Sequence, residues 1–187
     1  PMNYFHILRR QMHRNFRKPL ILMTPKSLLR HKRVVSSIEE FGPGSSFHRV
    51  LWDDAQFLKD QKIKLVADSE IRRVVLCSGK VYYDLYEERE RRGITDIYLL
   101  RIEQLYPIPA KSLMTELARF HDAEFVWCQE EPKNMGAWNF MVLDHVGTRH
   151  RRASYAGRPA SAATASGLMS KHNQELNQFL SDALKVD

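Results

Sequence analysis

Cysteine is scarce: Cys77 and Cys128 are the only two in 187 residues. Two thiols cannot by themselves complete a metal site of the usual four-ligand kind. Each closes an apolar run, Val74-Val75-Leu76-Cys77 and Phe125-Val126-Trp127-Cys128. Buried, reduced thiols of an intracellular protein are therefore expected, and a disulfide is the lesser alternative. No apolar run approaches the roughly 18 residues of a membrane span. Pro1-Met2-Asn3-Tyr4 does not open a signal peptide, because no short apolar stretch follows a basic start. The opening Pro1 suggests a fragment or a processed chain. Neither G-x-G-x-x-G nor the phosphate loop G-x-x-x-x-G-K-S/T occurs. The eight histidines form no H-x-x-x-H or H-E-x-x-H pattern, and His145 and His150 are too loosely placed to read as ligands. There is no G-x-S-x-G elbow to hold a nucleophilic serine.

Acidic residues are missing from the start of the chain. Pro1 to Arg33 holds nine Lys or Arg and no Asp or Glu, and the first acid is Glu39. The net charge of +7 is thus regional, since the remainder is close to balanced. A solvated helix face is the plain explanation. A phosphate-bearing small molecule or an acidic protein surface is the alternative. Nucleic acid is not expected, because RNP-like aromatics, zinc fingers and a helix-turn-helix are all lacking.

What is present describes a globular protein. Hydrophobic residues make up 43% and charged residues 27%, and the length suits one domain. Residues 3 to 17 read as an amphipathic helix with Asn3 as N-cap; Tyr4, Leu8, Met12 and Phe16 make one apolar face, and Pro19 stops it. Leu20 to Met23 reads as a short buried strand, and Phe47 to Leu51 as a possible strand. From Ile71 the pattern is clean. Strands are expected at Ile71–Cys77, Ile97–Ile102 and Glu124–Gln129, the last followed by a loop at Glu130-Glu131-Pro132. Helices are expected at Val81–Arg92, with Gly93 as C-cap, at Lys111–Phe120, at Asn134–His145 and at Leu168–Leu184. Alternating strand and helix, with strands apolar on both faces, predicts an α/β fold with a mainly parallel sheet covered on both sides.

Two local features lie at the ligand-facing edge of such a sheet. Ser78-Gly79-Lys80 turns a strand into a helix, where an anion can bind; with one glycine, a tight turn without ligand is the simpler reading. Glu130 and Glu131 could do acid–base work if their pKa values were driven apart. Adjacent residues point different ways, however, so charge near the next helix or an interface contact is the simpler role.

Six stretches carry a family resemblance: YFHILRR (4–10), KPLILMTPKSLLRH (18–31), RRVVLCSGKVYYDL (72–85), LLRIEQLYPIPAKSL (99–113), FVWCQEEPKNMGAW (125–138) and SYAGRPASAATASG (154–167). In this order they resemble the C-terminal end of the 2-oxoglutarate dehydrogenase E1 component. The last favours the 2-oxoglutarate enzyme over its relative acting on longer 2-oxo acids. The resemblance implies a transketolase C-terminal-like domain over residues 1–187: a three-layer sandwich with a mostly parallel five-stranded sheet, a basic entry segment at 1–33 and a closing helix at 168–187.

It also implies a homodimeric enzyme using thiamine diphosphate and magnesium. That enzyme decarboxylates 2-oxoglutarate and succinylates the lipoyl group of an E2 succinyltransferase in the citric acid cycle, in a bacterial cytoplasm or mitochondrial matrix. The family's thiamine motif runs from Gly-Asp-Gly to Asn-Asn, and neither end occurs here. No catalytic residue, and no bound cofactor, metal, nucleic acid or membrane, is therefore expected of this segment alone. Its expected work is dimerisation and bracing of the rest of the E1 chain. Some members bind acetyl-CoA or AMP in this domain, and Gln11, Lys26, Ser27, Arg30, Arg72 and Glu124 match that site, Arg30 foremost because arginine grips phosphate bidentately. One departure stands out. Between Trp138-Asn139-Phe140 and Leu143-Asp144-His145 the family carries several more residues, and here the joint is Met141-Val142.

Overall fold

The computed structural model describes residues 1–57, 61–144, 147–148 and 151–185, with only the backbone described at 142–144, 147–148 and 151. The chain divides into two compact units, Pro1–His48 and Arg49–Asp187.

The first unit is built on helix α1 (Met2–His13) and two 3-10 turns, Lys26–Arg30 and Ile38–Phe41. Helix α1 begins one residue earlier and ends four earlier than its apolar spacing predicts. Asn3 does not cap it. Its buried side-chain amide pairs instead with the backbone of His48, donating to the carbonyl at 2.9 Å and accepting from the N–H at 2.9 Å. His6 Nε2 lies 2.8 Å from the Glu40 carbonyl, and the Phe5 ring meets Phe41 edge-on. Beyond His13 the chain leaves in extended conformation at Arg14. A last helical turn with no packing partner is easily lost, because helical stability comes chiefly from packing. Leu20–Met23 is not a strand. An apolar run becomes one only where a neighbouring strand pairs its backbone, and no such pairing forms here; Ile21 and Met23 are 79% and 90% exposed.

The second unit follows the α/β pattern. Its elements are β1 (Val50–Leu51), α2 (Asp54–Phe57), β2 (Arg73–Cys77), α3 (Val81–Arg92), β3 (Ile97–Ile102), α4 (Ala110–Leu117), β4 (Glu124–Pro132), α5 (Trp138–Asp144), the small pair β5 (Gly147–Thr148) and β6 (Arg151–Arg152), then β7 (Ser154–Arg158) and α6 (Met169–Ala183). The sheet runs β1-β3-β2-β4-β7. Four strands are parallel, and the two-residue edge strand β1 pairs antiparallel with β3.

Both faces of the sheet are covered, which makes three layers. Val75, Cys77, Leu99, Val126 and Cys128 pack under α3 and α6 through Tyr82, Leu85, Phe179 and Leu180. Val74, Leu76, Tyr98, Leu100 and Trp127 pack under α4 and α5 through Leu113, Leu117 and Met141. Each central strand therefore spends both its odd and its even side chains in a core, which is why β2 is buried at every position. Helix α3 ends as its sequence predicts: Gly93 takes φ 66°, a left-handed conformation costly for residues with a Cβ. Arg73, nearly buried, ties the start of β2 to the last turn of α6, donating to the carbonyls of Asp182 at 2.8 Å and Ala183 at 3.1 Å.

Several boundaries move. The Phe47–Leu51 strand is only Val50–Leu51, and the Lys111–Phe120 helix is Ala110–Leu117. Strand β4 continues past Gln129 through Glu130 and Glu131 to Pro132, where a loop was expected, because β7 pairs along it and holds it extended through a bulge. Helix α5 begins at Trp138 rather than Asn134, since 134–137 form a turn anchored on Gln129. His145, the expected end of α5, lies outside the described residues, as does His150. Both thiols are free and buried.

Candidate functional site

Strand order reverses between β2 and β4, so the carboxyl ends of these strands form the crevice where open α/β sheets hold ligands. Ser78-Gly79-Lys80 turns there into α3. Lys80 Nζ is 2.7 Å from Asp84 and 3.2 Å from Glu130. Burial works against its charge, but the hydrogen bonds and fields of those carboxylates outweigh burial and raise its pKa above the ordinary lysine value. Its charge is committed to two protein carboxylates, which leaves a braced turn rather than a phosphate cradle.

The adjacent glutamates separate as strand geometry requires. Glu130 is half-buried and reaches Lys80, with Arg158 at 3.9 Å, while Glu131 is exposed. They do not form a carboxylate pair.

Gln129 and Tyr155 organise this edge. The buried Gln129 Oε1 accepts from the Trp127 indole and the Trp138 N–H, both at 2.9 Å. Its Nε2 lies 2.7 Å from the Met135 carbonyl and 3.2 Å from those of Glu131 and Pro132. One amide thus fixes the whole Gln129–Trp138 turn. The Tyr155 ring folds back over Gly157, with its hydroxyl 2.8 Å from the Arg158 carbonyl. A Cβ at Gly157 would lie 2.3 Å from that hydroxyl, so only glycine fits. Burial pushes the Tyr155 hydroxyl up to about 12.

Arg158, 6% exposed, anchors the final loop. Its Nη2 is 2.8 Å from His172 Nδ1, and its Nε is 3.6 Å from Glu175. It borders a cavity of about 200 Å³ shared with Ser161, Ser166, Lys171 and Glu175. The sequence signal for Arg158, Gln129 and Tyr155 is only their presence inside the two distinctive stretches; no spacing rule identifies them.

The six expected ligand residues are placed as follows. In the first unit, Lys26, Ser27 and Arg30 share one exposed 3-10 turn. Gln11 stands on α1 and donates to the Lys18 carbonyl at 2.5 Å. In the second unit, Arg72 and Glu124 meet at the amino ends of β2 and β4, where the Glu124 N–H bonds the Arg72 carbonyl at 2.9 Å. Their side chains are already paired. Arg72 lies 2.5 Å from Asp96, and Glu124 takes Arg73 at 2.8 and 2.9 Å. Among the described residues no group of three His, Cys, Asp or Glu side chains is placed to hold a metal ion, and no helix is long and apolar enough to cross a membrane.

The chain matches the family model described as 2-oxoglutarate dehydrogenase C-terminal over residues 35–184. It is 69% identical over 190 aligned residues to the 2-oxoglutarate dehydrogenase E1 component of Brucella anthropi, across 98% of this chain and 19% of that protein. The same-named proteins of Brucella ovis and Brucella abortus are 68% identical over the same shares. The chain thus spans about a fifth of the length of these relatives. The 190 aligned positions exceed the 187 residues present, so the relatives carry residues missing here. Met141 is buried within α5.

Proposed function

The chain belongs to the 2-oxoglutarate dehydrogenase C-terminal family, and from that premise we propose that it is the supporting and dimerising domain of a 2-oxoglutarate dehydrogenase E1 component. The observation that carries this reading is the identity of 69% to an E1 component of which the chain spans only a fifth. In the full polypeptide, thiamine diphosphate with magnesium supplies the decarboxylating chemistry, and the succinyl group passes to the lipoyl arm of the E2 partner. The residues here do not fit that cofactor. They carry neither end of its motif, and the described side chains offer no donor set for the ion. What this segment contributes is a rigid three-layer body. The bacterial relatives favour a bacterial cytoplasm.

The test is turnover and mass. The full-length polypeptide carrying this sequence is expected to decarboxylate 2-oxoglutarate and to run as a dimer, while residues 1–187 alone neither turn over nor bind thiamine diphosphate. Turnover by the 187-residue chain, or a monomeric full-length enzyme, overturns the proposal.

A narrower regulatory role, the binding of acetyl-CoA or AMP, centres on Lys26, Ser27 and Arg30. It is supported by the solvent-facing turn that gathers two cations and a hydroxyl without a carboxylate.

A further inference from the structure

Arg158 is a buried charge with few hydrogen bonds. The residue is 6% exposed, and a guanidinium carries five N–H donors. Nη2 donates to His172 Nδ1 at 2.8 Å, and Nη1 reaches Ser166 Oγ at 3.4 Å. Nε has no hydrogen-bond acceptor among the described residues. The two carboxylates that pair with it stand back, Glu175 at 3.6 Å and Glu130 at 3.9 Å. Both separations exceed a hydrogen bond. An arginine taken out of water ordinarily grips an oxyanion through short, charge-assisted N–H bonds. Among the described residues no carboxylate does this for Arg158.

The same side chain lines the cavity of about 200 Å³ under the loop 159–167. That loop is fastened at two points. Asn134 Nδ2 donates to the Ser161 carbonyl at 2.9 Å, and its Oδ1 accepts from the Ser161 N–H at 3.0 Å. Ser166 Oγ donates to Glu175 at 2.9 Å. The cavity is thus a fixed part of the fold.

Helix α6, 15 residues long, brings its amino end to this cavity through Gly167 and Lys171. Its N-cap, Leu168, offers no side-chain acceptor, and its first turn holds no acid. The first N–H groups of a helix find no acceptor within it and carry positive partial charge. Lys171 adds an ammonium with a side chain 64% exposed. Around the wall, the two cations Arg158 and Lys171 face the single carboxylate of Glu175.

We propose that this cavity binds a phosphate group, held by Arg158, Lys171 and the amino end of α6, with the hydroxyls of Ser161 and Ser166 as further donors. A tetrahedral oxyanion supplies the short-range acceptor that Arg158 lacks, at a helix end suited to negative charge. Glu175 opposes the ion and keeps its affinity low. The site shares no residue with the turn at Lys26–Arg30, and it does not depend on the E1 reading.

Calorimetric titration of the full-length polypeptide with inorganic phosphate tests it, at constant ionic strength and with thiamine diphosphate present to fill any cofactor site. Saturable binding is expected. Lys171→Glu should weaken it about 10-fold or more, the worth of a charged hydrogen bond reversed in sign. Glu175→Gln should tighten it about 3- to 10-fold by removing the opposing charge. A gain of affinity is a result that damage to the fold does not produce. Phenyl phosphate in place of the free ion separates the two sources of the group. Equal binding means that the loop admits the phosphoryl end of a larger molecule, exclusion means that it takes the free ion, and both support the site. Absence of saturable heat overturns the proposal, and so does binding that neither variant changes. Binding lost in Arg30→Ala and kept in Lys171→Glu places the ion on the turn at 26–30 and overturns it as well.

Discussion

Asp53 and Arg89 meet as a bidentate ion pair from which water is excluded, both side chains being 0% exposed. Arg89 Nη2 donates to Asp53 Oδ1 at 2.7 Å, and Nη1 donates to Oδ2 and to the Ile97 carbonyl. The Asp53 oxygens also accept the backbone N–H groups of Leu99 at 2.7 Å and Ala55 at 2.9 Å. The pair joins the segment before α2 to α3 and β3. Removing one partner leaves a buried charge uncompensated. Asp53→Asn or Arg89→Met is expected to cost about 3–5 kcal/mol. The double variant should cost less than the sum, because neither charge is then stranded. Urea unfolding of the four proteins measures the coupling, and additive losses would contradict it.

Cys77 and Cys128 are register partners on β2 and β4, inside the core. Burial pushes the Cys77 thiol up to about 12 and the Cys128 thiol well above its ordinary value. At pH 8 a thiol with pKa about 12 is ionised in roughly one molecule in ten thousand. Aromatic disulfide reagents should therefore leave both thiols unmodified in the native protein and react at the rate of unfolding. Immediate release of two equivalents of chromophore would show that the core is open.

Glu88 gives the acid limb of the stability profile a specific origin. Hydrogen bonding to Arg91, at 2.6 and 2.7 Å, outweighs burial, and with Arg92 it lowers the carboxyl to about 2 from 4.5. A depressed folded-state value means that this contribution is complete above the unfolded value and is lost as pH falls from about 4.5 toward 2. Glu88→Gln should flatten the stability profile over that window and change little at pH 7 beyond a uniform offset. Parallel profiles for the two proteins across pH 2–5 would refute the assignment.

Arg30 allows the regulatory reading to be decided. Calorimetric titration of the full-length polypeptide with acetyl-CoA and with AMP is expected to show binding that Arg30→Ala weakens about 10- to 100-fold, the worth of a charged hydrogen bond to phosphate. Equal affinity in both proteins removes Arg30 from the site, and no heat from either leaves the turn without a ligand.

The sequence was most legible where local and tertiary signals agree. The apolar runs of β2 and β3, the helix of α3 and its Gly93 cap read directly from spacing, and so did the fold class. Strand β7 did not. Ser154-Tyr155-Ala156-Gly157-Arg158 has neither an apolar run nor alternation, and it is a strand because β4 supplies its partners. For the same reason the glutamates after Gln129 were read as a loop. Before residue 49 the sequence was misleading in an informative way. The stripe of Tyr4, Leu8 and Met12 is real, but spacing reveals a face without revealing what lies against it. Of the candidate site, composition marked the basic turn at 26–30, while the prior pairing of Arg72 with Asp96 and of Glu124 with Arg73 is visible only in three dimensions.

Arg73 carries a consequence for synthesis. Its guanidinium closes the last turn of α6 across 109 and 110 residues of chain. Phe179, Leu180 and Ala183 roof one face of the sheet. On a ribosome adding about 5–20 residues per second, β2 therefore emerges several seconds before the residues that cover it. Through that interval α3 alone covers Val75, Cys77 and their neighbours on that face. A ribosome stalled short of residue 183 would hold the domain in that state, with the α6 half of the cover over Cys77 and Cys128 still missing.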